Sequence, residues 1–220
     1  MNMKAIVKDA LILCVITLIS GLALGFVHDI TAEPIRKVQE QAKQTAYQNV
    51  FKDAQGEALA TDFKKLDEKM IPEDQFAEVL ANAGIEKDIV TEVAYAMKDG
   101  VYVGLVFNVT AKDGYGGDIE FTVGILKDGT VNDISLLSIS ETAGLGMNAK
   151  EDSFQAQYRY KNIDEFVVTK SDVTADNQIS AISGATITSR AITKGVNSAI
   201  QAFNYLNRQE NNLEGGASVE

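Results

Sequence analysis

The chain has 220 residues, 45% hydrophobic and 23% charged, which is enough to bury one core and lies outside the disordered, collagen-like and polytopic membrane classes. A formal charge of -11 argues against nucleic acid as a partner, because phosphate-backbone binding draws on clustered Lys and Arg. One cysteine, Cys14, and one histidine, His28, cannot build an internal disulfide, a thiolate cluster, a multi-histidine metal site or a histidine-based triad, so any redox chemistry needs a borrowed organic cofactor.

Ala10 to Val27 is an uncharged run of 18 residues. As a helix it would span roughly 27 Å, close to the hydrocarbon thickness of a bilayer. Lys4 and Lys8 precede it, which predicts a single-pass anchor in the cell membrane, with the N-terminus in the cytoplasm and all that follows on the extracytoplasmic side. A cleaved signal peptide with small residues at Gly21 and Ala23 is the competing reading. A buried helix of a soluble protein is a third, and the lack of a polar face counts against it. Cys14 reads as a small apolar residue within the run; as a lipoprotein acceptor it lacks small residues in Leu11-Ile12-Leu13. His28 reads as an interfacial residue.

From Thr31 to Asp53 the spacing turns helical, with Ile35, Val38, Ala42, Ala46 and Val50 on one stripe and Pro34 suited to a first turn. This predicts a stalk helix. Residues 54–87 are polar and mixed, with helical fragments expected around Asp62–Met70 and Asp74–Ala83.

Near Ile89 the pattern becomes β-branched and alternating, predicting strands at Val90–Met97, Val101–Ala111, Ile119–Leu126 and Val131–Ile139. Lys98-Asp99-Gly100, Lys112-Asp113-Gly114 and Lys127-Asp128-Gly129 repeat one hairpin signal, so an antiparallel meander is expected. Helical spacing returns at Glu151–Tyr158 and strongly at Ser189–Leu206, where Ile192, Val196, Ala199, Ile200 and Phe203 share a stripe. Asn207–Glu220 carries no pattern and is expected to be a flexible tail. The expected class is α+β: a transmembrane anchor (1–28), a helical stalk and linker (29–87), and an antiparallel-sheet domain with flanking helices (88–206).

Three segments could carry chemistry. Ser183-Gly184-Ala185-Thr186-Ile187-Thr188-Ser189 stands before the last helix, where small residues admit a ligand, hydroxyls offer hydrogen bonds or a nucleophilic oxygen, and the helix N-terminus favours an anion. From these residues alone an ordinary N-cap is the favoured reading. Glu141-Thr142-Ala143-Gly144-Leu145-Gly146 ends the last predicted strand in a tight loop whose backbone could lie against a flat ring, or is a plain glycine loop. Its Gly-Leu-Gly lacks the spacing of a dinucleotide or P-loop fingerprint. Gly114-Tyr115-Gly116-Gly117 is either a hairpin turn with a packed tyrosine or a loop bordering a cofactor.

Taken in order, with a single N-terminal anchor, these motifs resemble the FMN-binding domain of the G subunit of the Rnf complex, a relative of the C subunit of the sodium-pumping NADH:quinone reductase. The resemblance runs from the anchor to about Leu206. It implies an FMN phosphoester on Thr186, installed by a flavin transferase from FAD. It further implies flavin contacts from Tyr115, Glu141, Thr142, Gly144, Leu145, Gly146, Ser183, Gly184, Ala185, Thr188 and Ser189. The implied role is that of a redox subunit, without independent catalysis, in a membrane complex coupling ferredoxin–NAD electron transfer to sodium or proton translocation, with the other Rnf subunits and membrane lipid as partners. The quinone-reductase subunit and a non-redox anchored binding module are the alternatives. Three positions depart from the family pattern: Ala143 for proline, Ile139 for histidine and Ser180 for aspartate.

Overall fold

The computed structural model describes residues 3–66, 78, 81 and 90–216, and it divides into two compact units, Met1–Gln44 and Thr45–Glu220. The first unit is helical. Helix α1 (Met3–Asn49) is 47 residues long, about 70 Å at 1.5 Å per residue. It runs through Pro34 without a break, so the anchor and the expected stalk are one helix rather than two. Proline removes one backbone donor, and the helix carries that single lost bond. Side chains 10–27 are exposed throughout, and among the described residues α1 alone is long and apolar enough to cross a membrane.

The second unit is built on a five-stranded antiparallel meander, β1 (Asp62–Lys65), β2 (Val90–Lys98), β3 (Val101–Ala111), β4 (Ile119–Leu126) and β5 (Val131–Ile139), paired in chain order. The β2–β3 turn places Asp99 at φ 52° and Gly100 at φ 79°, the left-handed pair that a two-residue hairpin requires. Strand β1 corrects the helical fragment expected from Asp62. It pairs Asp62–Lys65 with Ala94–Met97, and Phe63 leans on Tyr47 and Phe51 at ring-centroid distances of 5.5 and 6.0 Å. Sheet pairing and aromatic packing here override local propensity. The fragment expected at Asp74–Ala83 lies outside the described residues except for Glu78 and Ala81.

Strands β3 and β4 are covered on both faces. On one face Phe107, Val109, Phe121 and Val123 pack with Ile192, Val196, Ala199, Ile200 and Phe203 of the last helix, α3 (Thr186–Gly216). On the other face Val106, Ala94 and Ala96 pack with Tyr47, Val50 and Phe51. Two buried amides hold that second layer. Asn132 Nδ2 donates to the carbonyls of Val50 (2.8 Å) and Lys52 (3.0 Å), and Asn108 Nδ2 donates to the Tyr47 hydroxyl (2.7 Å). Helix α3 sits close enough that a Cβ at Gly195 would meet the Phe121 ring at 2.7 Å and Val109 Cγ1 at 2.8 Å.

The helix expected at Glu151–Tyr158 is shorter and broken. A 3-10 turn (Gly146–Lys150) leads to α2 (Asp152–Gln155) and a second 3-10 turn (Ala156–Tyr158), and Glu151 between them is extended at ψ 140°. The breaks let Phe154, Tyr158 and Phe166 form edge-on contacts at 5.8 and 5.2 Å. Two three-residue strands that the sequence pattern did not suggest, β6 (Val167–Thr169) and β7 (Gln178–Ser180), form a parallel pair. Helix α3 begins three residues before the expected Ser189 and continues past Leu206 to Gly216.

Candidate functional site

The site begins at the first turn of α3. Its first i→i−4 bond runs from the Ser189 N–H to the Ala185 carbonyl at 3.1 Å, so Ala185 is the capping position. The N–H groups of Thr186, Ile187 and Thr188 precede that bond and have no partner within the helix. Alanine has no side chain to cap them. Ser189 is 0% exposed, and its Oγ accepts from the Ile182 N–H (3.0 Å) and donates to the Ala185 carbonyl (3.0 Å). That hydroxyl folds the Ile182–Ala185 turn back onto the helix start. Ser183 and Gly184 stand exposed, Thr186 is half-buried, and Thr188 is buried at 1% exposure.

Two loops from the far end of the meander meet this turn. After β5, Glu141 is buried and its Oε1 accepts the Tyr115 N–H at 2.8 Å, tying the Glu141–Gly146 loop to the β3–β4 connection. Gly116 presses against the Ser140 carbonyl. A Cβ on Gly146 would meet Glu141 Cβ and Thr188 Oγ1, each at 2.7 Å, and a Cβ on Gly184 would meet Leu145 Cδ2 at 2.9 Å. Each glycine therefore marks a close contact that a side chain would block. Gly144 differs, because its φ of 75° meets open space.

Together these segments wall a cavity of about 760 Å³. Ten of the twelve residues expected at a cofactor site line it: Tyr115, Glu141, Thr142, Leu145, Gly146, Ser183, Gly184, Ala185, Thr186 and Thr188. Gly144 and Ser189 do not, Ser189 being fully buried beneath the turn. Tyr115 is 73% exposed and Ile187 53%, and with the exposed Leu145 they give the cavity apolar surface open to solvent. Lys170, Ala181, Ile182 and Ile187 also line it and were not foreseen. The last three adjoin or lie within the serine–threonine motif and could have been reached by extending it. Lys170 is brought in by β6 and β7, for which the sequence carries no periodic signal. Among the described residues no group of His, Cys, Asp and Glu could hold a metal ion.

The arrangement suits an extended ligand with an anionic end. Three N–H groups without helical partners and the positive end of a 31-residue helix favour the anion. The exposed Tyr115, Leu145 and Ile187 offer apolar surface to a flat ring.

Comparison with known proteins agrees with these features. Residues 114–201 match the FMN-binding domain family and residues 1–50 match the RnfG N-terminal region. The G subunit of the Na(+)-translocating ferredoxin:NAD(+) oxidoreductase complex of Acetobacterium woodii is 31% identical over 208 residues, covering 93% of this chain and 95% of that one. Its counterpart in the proton-translocating ferredoxin:NAD(+) oxidoreductase complex of Clostridium ljungdahlii is 49% identical over 88 residues, 40% of this chain and 47% of that one. The crystal structure of Shewanella oneidensis NqrC superposes with a TM-score of 0.45 at 19% identity, over 56% of this chain and 65% of that one. With a relative matched along almost its whole length and both family regions in place, this chain belongs to the G subunits of ion-translocating Rnf oxidoreductase complexes.

Proposed function

We propose that the chain is the electron-transfer subunit of a membrane-bound Rnf-type complex that couples electron transfer between ferredoxin and NAD to sodium or proton translocation. In this reading it carries one FMN, esterified through its phosphate to Thr186, on the extracytoplasmic side of the membrane. The observation that carries the reading is the meeting of three distant segments around one cavity at the N-terminus of α3, with Thr186 half-buried in its wall and Thr188 sealed beneath.

The residues present fit an FMN. The free N–H groups of Thr186, Ile187 and Thr188 would hold the phosphate against the positive end of α3. Leu145, Ile187 and Tyr115 offer apolar surface to the ring, and the Glu141 bond to Tyr115 fixes the loop that bears it. Bound FMN would supply one- and two-electron redox chemistry, so the protein need only position and tune it. A covalent tether keeps the local concentration of the cofactor high where free FMN is scarce.

The full chain, produced with a flavin transferase, is expected to gain the mass of one FMN and to fluoresce in a denaturing gel. Thr186→Ala should lose both while remaining folded, since removing one hydroxyl at a helix start costs only about 1 kcal/mol. Fluorescence surviving in Thr186→Ala, or FMN mapped to Thr188, would overturn the assignment.

A further inference from the structure

Among the described residues, Lys170 is the one cationic side chain lining the cavity. It is exposed, and no carboxylate among the described residues lies within ion-pair distance of it. In a chain of net charge -11 an unpaired lysine at a ligand cavity is notable, the more so because Lys194, on the flank of α3, is paired with Asp113 at 2.8 Å. Its position is built rather than incidental. The parallel register of β6 and β7 sets Thr169 opposite Ser180, and the Ala181 N–H donates to the Thr169 carbonyl at 2.9 Å. Just beyond, Thr169 Oγ1 accepts the Ser171 N–H at 3.1 Å, turning the chain at Lys170. The β6–β7 pair thus places Lys170 on the wall of the same cavity that Thr186 lines.

We infer that Lys170 is the positioning residue for the flavin phosphate, its ammonium pairing with the phosphoryl oxygens as the phosphate sits at the start of α3. The inference rests on the reading that Thr186 carries FMN. In the loading step the Thr186 hydroxyl oxygen attacks the FMN-side phosphorus of FAD. The phosphorus–oxygen bond to AMP breaks, AMP leaves with that oxygen, and the hydroxyl proton passes to a base of the transferase. The phosphodiester formed keeps one negative charge, and Lys170 and the helix N-terminus share it.

The test uses the full-length chain, its flavin transferase and limiting FAD, with Lys170→Arg, Lys170→Ala and Lys170→Glu. Initial rates of flavin attachment should be near wild type for Arg, about two- to fivefold lower for Ala, and about tenfold lower for Glu. Added salt should slow the wild type more than Lys170→Ala. The phosphorus resonance of the loaded chain should move in Lys170→Ala and stay in place in Lys127→Ala, a control at the exposed β4–β5 turn. That readout separates a phosphate contact from a contact with the transferase surface. Labelling of wild type with equal rates in all variants and an unmoved resonance would overturn the role of Lys170 alone. A wild type that takes no flavin under the same conditions would overturn the assignment to Thr186 and this inference with it.

Discussion

At the scale of single residues the site turns on which small side chains face the cavity. Gly146→Ala would drive a methyl group into Glu141 and Thr188 and should cost about 1–3 kcal/mol, with a shift in the absorption of the loaded flavin. Gly144→Ala strains a positive φ but meets no neighbour, so it should lower the melting temperature modestly and leave the absorption unchanged. Thermal melts and spectra of the two detergent-solubilised variants check the contrast, and a spectral shift confined to Gly144→Ala would reverse the assignment. Thr188→Ala should keep covalent flavin, because a side chain 1% exposed beneath the cavity floor is closed to a modifying enzyme. Mass spectrometry of that variant decides the point. The Ser183–Thr188 motif was legible in the sequence because its parts are contiguous. The distinct roles of Gly144 and Gly146 were not, since only the fold shows that a side chain at Gly146 would strike Thr188, 42 positions away, while one at Gly144 would meet open space.

At the scale of elements the legible parts were those with a strong period. Strands β3, β4 and β5 fall on the residues expected, and β2 is longer by one residue, because β-branched runs bounded by turn residues specify them locally. The elements that escaped are short and held by partners. Strand β1 exists because β2 offers an edge, β6 and β7 because they pair with each other, and the breaks around α2 because three aromatic rings pack there. Pro34 misled in the opposite direction, marking a helix start where α1 continues. The second layer of the sheet should be the most sensitive to polar deletion. Asn132→Ala removes the donor shared by the Val50 and Lys52 carbonyls and should destabilise the domain by about 1–3 kcal/mol, which chemical denaturation would measure. Flavin attachment should persist, because Asn132 does not line the cavity.

At the scale of the whole molecule, one apolar helix among the described residues precedes the domain and two lysines precede its apolar run, an order that favours placing the rest of the chain outside the cytoplasm. A periplasmic-type reporter fused after Glu220 should be active, and a cytoplasmic-type reporter silent; the reverse pair of results would invert the topology. The domain's core has a further consequence. Phe107, Phe121, Ile125, Ile192 and Val196 are sealed against one another with no part of that seal supplied from the cavity. If FMN is attached at Thr186 as proposed, a core complete without the cavity residues would let folding come first and loading second, so that the prosthetic group would record folding rather than guide it.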